Sequence, residues 1–227
     1  MNYEIIGQVM PLVQVTLNTG ESIKCQAGAM KWMDPAVEMK TRMEGGVGGL
    51  LKRRMMGESG FLNEYTAQQD GARIAFGHTY PGRILPLQVE EQTMICQKRT
   101  FLASQPTVQL SIQFQKKLGV GFFGGEGFIM QKLHGTGTAF VEIDGEVVES
   151  TLAEGQSIRV ETGAVAMFEE SVKMSIDRVK GMKNIVFGGE GLFLTTLTGP
   201  GRIWLQTMSI QSLARELHPF LPKKSSS

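Results

Sequence analysis

The chain repeats itself three times, and this self-similarity limits its architecture before any chemistry is considered. Gly20-Glu21-Ser22-Ile23-Lys24-Cys25-Gln26 lies over Glu91-Gln92-Thr93-Met94-Ile95-Cys96-Gln97, and again over Gly155-Gln156-Ser157-Ile158-Arg159-Val160-Glu161. The second half of the unit recurs as well: Phe123-Gly124-Gly125-Glu126-Gly127 matches Phe187-Gly188-Gly189-Glu190-Gly191, and Gly57-Glu58-Ser59-Gly60-Phe61 is a looser copy. The 227 residues thus divide into units of about 65 residues, too small to bury much core alone. The expectation is an all-β chain of three tandem β-sandwich repeats, packed around a shared core with pseudo-threefold symmetry. The repeats are assigned to residues 1–79, 80–144 and 145–208, followed by a helix over 209–221 and a flexible tail over 222–227.

Period-two alternation supports strands at Leu12 to Leu17, Thr107 to Phe114 and Gln156 to Glu161, since a strand with one buried face alternates apolar and polar residues. Asp144-Gly145 separates two such runs and predicts a two-residue hairpin at the join of the second and third units. Pro81-Gly82 marks the first join. Ser209 is placed to cap a helix whose Ile210, Leu213 and Leu217 share one face, with Pro219 ending the run. That helix is expected to serve as a lid or a partner contact.

With 23 basic and 22 acidic side chains, the net charge of +1 supplies no broad field to gather nucleic acid, so any electrostatic attraction is local. Cys25 and Cys96 occupy equivalent repeat positions, with Val160 in the third unit. A small buried apolar site explains all three, and two cysteines without a disulfide framework fit a reducing compartment. Neither a secretion signal nor an apolar run long enough to span a bilayer is legible. The sequence therefore predicts a soluble, cytoplasmic protein, with peripheral attachment at the inner face of a membrane as the variant considered below.

Gly119-Val120-Gly121-Phe122-Phe123-Gly124 spells the dinucleotide fingerprint. That motif needs a helix after it, to meet the phosphate with its N-terminus. Here the following Gly127-Phe128-Ile129-Met130 and its repeat partner read as strand, so no cofactor is expected. Glu58, Glu126 and Glu190 recur in the Gly-Glu turns and are candidates for a shared cation site, set against the alternative that each satisfies backbone N–H groups at its own turn. His78, His134 and His218 are isolated from other ligand types, which leaves zinc and nucleophilic catalysis without a candidate.

The segment Gly45 to Met56 breaks the repeat. Leu50, Leu51, Met55 and Met56 supply apolar area beside Lys52, Arg53 and Arg54, a combination suited to an anionic membrane surface or a protein partner. The alternative is that Leu50 and Leu51 fold back on the first unit.

The Gly45 to Arg54 stretch, Ala27-Gly28-Ala29-Met30, Gly124-Gly125-Glu126-Gly127 and Leu213-Ala214-Arg215-Glu216-Leu217 together resemble the altered-inheritance-of-mitochondria family over nearly all of residues 1–221. The resemblance implies a fold like that of the tryptophan RNA-binding attenuation protein. It also implies links to inner-membrane architecture in mitochondria and to envelope-stress systems in bacteria, and it carries no catalytic residues. The functional expectation is a non-enzymatic scaffold or interaction protein that forms homo-oligomers and meets a protein partner or membrane. The alternatives are an RNA- or ligand-binding module and an enzyme with an unrecognised site. RNA binding would require a basic side chain at each equivalent position, where the repeats instead place Lys24, Ile95 and Arg159.

Overall fold

The computed structural model describes residues 1–43, 61–77, 79–90, 93–116, 127–178 and 193–221. A leading strand β1 (Asn2–Ile6) precedes three blocks of six. The first block is β2 (Leu12–Leu17), β3 (Ser22–Gln26), β4 (Met30–Met33), β5 (Val37–Met43), β6 (Phe61–Ala67) and β7 (Ala72–Gly77). The second is β8 (Gly82–Gln88), β9 (Met94–Gln97), β10 (Phe101–Ser104), β11 (Val108–Lys116), β12 (Phe128–Gly135) and β13 (Thr138–Asp144). The third is β14 (Val147–Leu152), β15 (Ser157–Glu161), β16 (Val165–Glu169), β17 (Lys173–Arg178), β18 (Phe193–Thr198) and β19 (Gly201–Gln206), and α1 (Ile210–Leu217) closes the described chain.

Alternation in the sequence becomes alternation in burial. In β2, Val13, Val15 and Leu17 are buried, whereas Leu12, Gln14 and Thr16 are only partly covered. Each block pairs its strands in the same order. Its first, last and third strands form one triplet, β2-β7-β4, β8-β13-β10 and β14-β19-β16, and the remainder form another, β5-β6-β3, β11-β12-β9 and β17-β18-β15. A β-bulge recurs at one place in the first triplet, between Met30 and Trp32, Phe101 and Ala103, and Val165 and Met167. An extra residue in a strand twists it locally and re-aims its side chains, so the same distortion is built into every block.

The blocks are fused through strand pairing. β3 pairs with β10, setting Cys25 opposite Ala103, and β9 pairs with β16, setting Cys96 opposite Met167. Two six-stranded sheets result, β5-β6-β3-β10-β13-β8 and β11-β12-β9-β16-β19-β14, flanked by the four-stranded β1-β2-β7-β4 and the three-stranded β15-β18-β17. The apolar clusters lie between successive sheets. Val13, Val15, Ile74 and Phe76 of the four-stranded sheet meet Ile23, Cys25, Tyr65, Leu102 and Phe140 of the first six-stranded sheet. The other face of that sheet, with Phe101, Ala139, Val141 and Ile143, meets Met94, Cys96, Met167 and Trp204. Phe128, Met130, Phe168 and Ile203 then meet Ile176 and Leu197 of the three-stranded sheet. Both six-stranded sheets are therefore apolar on two faces and stand between two cores.

Two local expectations need correction. Asp144-Gly145 does turn the chain, with Gly145 at φ +71°, a conformation that favours glycine. It does not form a hairpin, because both edges of β13 are taken by β10 and β8, and β14 pairs instead with β19. The turn carries the chain from one sheet to the next, and the Gly145 N–H donates to the Pro81 carbonyl at 2.8 Å. Val160 was expected to be buried like Cys25 and Cys96. Both cysteines are buried, but Val160 is only half-buried, because β15 ends its sheet and has no neighbour beyond it.

Phe140 shows how much the interlocking of blocks contributes. It belongs to the second block but is buried in the first core, with its ring centroid 5.0 Å from that of Tyr3. Phe140→Ala should destabilise the whole chain by about 3–5 kcal/mol, read as a lower urea midpoint with an unchanged slope.

Candidate interaction surface

Several polar side chains close to the sheets hold backbone. At the end of the bulged strand in each block, a side-chain oxygen accepts from the first part of the block's last strand. Asp34 Oδ2 accepts from the Arg73 N–H at 2.9 Å, Gln105 Oε1 from the Thr138 N–H at 2.8 Å, and Glu169 Oε2 from the Arg202 N–H at 2.9 Å. In the outer blocks the arginine also closes an ion pair, Arg73 Nε to Asp34 at 3.1 Å and Arg202 Nε to Glu169 at 2.7 Å. These guanidinium groups lie over Trp32 and Trp204, at 5.8 and 5.1 Å from the ring centroids. A second tie recurs after the first strand, where Asn18 N–H donates to Glu21 and Ala153 N–H donates to Gln156.

The hydrogen bonds from Arg73 hold the Asp34 carboxyl below the ordinary range. Partial burial pushes Glu169 up, but the bonds from Arg202 outweigh it and leave the carboxyl lowered. Burial pushes Cys25 up to about 12 and Cys96 also strongly upward, so the reactive thiolate is scarce near neutral pH. Among the described residues, no three His, Cys, Asp or Glu side chains gather where they could hold a metal ion. His134 keeps its buried Nδ1 without a hydrogen-bond partner among the described residues.

The residues singled out from the sequence for contact or metal binding, namely Leu50, Leu51, Lys52, Arg53, Arg54, Met55, Met56, Glu58, Glu126 and Glu190, lie outside the described residues. The same holds for His78 and for Gly119 to Gly124. The terminal helix forms where the sequence places it. Ser209 accepts from the Ser212 N–H at 3.2 Å, and a 3-10 turn over His218–Phe220 follows. It is no closed lid: Leu217 and Leu221 are exposed and Phe220 is 85% accessible.

Sequence reasoning overlooked two further apolar surfaces. One is at the N-terminus, where Ile5, Ile6 and Met10 are exposed and Val9 is 69% accessible. Ile5-Ile6 and Val9-Met10 on either side of Gly7 were the available signal. The other is the outer edge of β4, with Trp32 and Met33. No described helix is long and apolar enough to cross a membrane.

A series of antiparallel sheets with both thiols buried defines an all-β protein. The family model for mitochondrial biogenesis AIM24 matches residues 3–208, and the chain belongs to that family. An uncharacterized protein of Streptococcus pyogenes serotype M6 is 29% identical over 224 residues, spanning 95% of this chain and 88% of the relative. The X-ray crystal structure of a Streptococcus pyogenes protein has the same fold, with a TM-score of 0.79 at 23% identity, covering 97% of this chain and 99% of the other.

Two measurements test the electrostatics. A thiol reagent at neutral pH should label neither Cys25 nor Cys96 in the native protein and both in denaturant. Asp34 and Glu169 have folded-state pKa values below their ordinary values of 3.8 and 4.5. The stability they contribute is thus fully present above those values and is lost as pH falls through the lowered ones. The melting temperature should fall across this acid range, and the combined Asp34→Asn, Glu169→Gln variant should flatten that fall.

Proposed function

We propose that this protein is a non-enzymatic scaffold, peripherally associated with an anionic membrane surface or a protein partner and assembled with further copies of itself. The observation that carries the reading is the set of large apolar side chains left accessible on the described surface, Val9, Met10, Leu217, Phe220 and Leu221. Exposed apolar clusters mark contact sites, and Val9-Met10 and Phe220-Leu221 are adjacent pairs in the sequence. The inertness of both thiols and the engagement of Asp34, Gln105 and Glu169 in backbone ties add support, since they withdraw the obvious groups from catalysis. The family's description names mitochondrial biogenesis rather than a reaction, in keeping with this reading.

The Gly45 to Met56 segment supplies the membrane or partner contact in this proposal. Its cations draw the protein to acidic headgroups at about 1 kcal/mol each near the surface, and its leucines and methionines add apolar contact. Flotation with vesicles containing phosphatidylserine should carry the protein upward. Replacing Lys52, Arg53 and Arg54 together with serine should abolish it, with no change in melting temperature. No flotation of the intact protein, or equal flotation of the variant, rejects the membrane contact.

A further inference from the structure

Each block joins the next by the same device, and the chain ends with one such joint open at either side. At the two internal joints the second strand of one block pairs with the bulged third strand of the next, β3 with β10 and β9 with β16. The bulged strand of the first block, β4, and the second strand of the last, β15, end their sheets, with no strand paired to their outer edges among the described residues. Two six-stranded sheets and three apolar cores separate them.

The burial of these two strands registers the missing neighbour. Trp32 follows the bulge as Ala103 and Met167 do, and pairs with Ala75 as they pair with Phe140 and Trp204. Ala103 and Met167 are fully buried, each in the core of the block before its own, while Trp32 is 37% accessible. In β15, Ile158 and Val160 are half-buried, whereas Ile23, Cys25, Met94 and Cys96 at the same positions are buried.

The polar groups also match. Gln26 Nε2 donates to Glu142 Oε1 at 2.8 Å across the first joint, and Gln206 Nε2 donates to Gln97 Oε1 at 3.4 Å across the second. The third set differs in kind. Glu161 stands in the place of Gln26 and Gln97 by the repeat, and Gly77, next after Phe76, in that of Glu142 and Gln206 by strand register. The Lys31 side chain fills the volume over Gly77, its Cε within 2.8 Å of where a Cβ would sit. A glutamate at one open edge thus has a lysine as its counterpart at the other, where the internal joints use amides and a carboxylate.

We propose that a second copy of this chain completes the open joint: β15 of one copy pairs antiparallel with β4 of the next, with Val160 opposite Trp32 and Arg159 opposite Met33. The contact is head to tail. It merges the three-stranded sheet of one copy with the four-stranded sheet of the next and carries Trp32 of the next copy onto the last core of the first. It joins Glu161 to Lys31 and satisfies two rows of edge backbone groups that otherwise invite unspecific pairing. Because its two surfaces differ, it closes into a ring or extends into a filament. The proposal rests on the self-association part of the scaffold reading and is independent of membrane binding.

Light scattering over a micromolar dilution series should give the intact protein a mass that is a multiple of 24.9 kDa. Glu161→Lys and Lys31→Glu should each weaken association at least about tenfold, because each sets like charges face to face, and the double exchange should restore it. Melting curves for all three report folding separately. Oxidation of a mixture of Arg159→Cys and Met33→Cys proteins should give a crosslinked dimer that neither gives alone. The variant carrying both should form covalent multimers. A monomeric intact protein, charge variants that associate undiminished, or a double-cysteine variant that closes only on itself would each overturn the pairing. None of these outcomes bears on flotation, which tests the membrane contact by itself.

Discussion

The pairing of β3 with β10, and its repetition between β9 and β16, is the constraint on which the rest of the molecule depends. Backbone hydrogen bonds across these joints do more than lengthen a sheet. They fix the facing of each shared sheet, so that Leu102 and Phe140 are delivered to one core and Phe101 and Val141 to the next. A six-stranded antiparallel sheet with one wet face would read as strict alternation. Here strands such as β10 and β16 are buried on both faces, and their runs Phe-Leu-Ala-Ser and Val-Ala-Met-Phe are accordingly almost continuous in apolar character.

This interlocking explains why units this small are viable. Each core draws on strands from two blocks, so the buried area per block exceeds what a free unit of that length attains. It also makes the chain resemble a short repeat array, in which stability comes from contacts between neighbours as much as from within a unit.

The repeat made most of the strand framework legible, because glycine and apolar positions recur wherever the backbone must turn or pack. The helix was legible from its cap and stop, Ser209 and Pro219. What escaped were features whose residue types differ between blocks although their geometry does not. Asp34, Gln105 and Glu169 perform one task with three different side chains, invisible to a search for identical letters. The Asp144-Gly145 signal was sound as to backbone conformation, but turn chemistry says nothing about which strand is already paired elsewhere. Strand β1 carries no repeat counterpart, so periodicity was silent about it. For the contact surface, sequence contrast drew attention to Gly45 to Met56. The β4 edge became visible only once Trp32 could be compared with the buried Ala103 and Met167.

The three backbone ties also differ in their response to protons. The outer two depend on carboxylates, Asp34 and Glu169, whereas the middle one uses the amide of Gln105. Strong acid, below the lowered pKa values of both carboxyls, therefore slackens the ties of the first and third blocks and leaves the Gln105 tie of the second block intact.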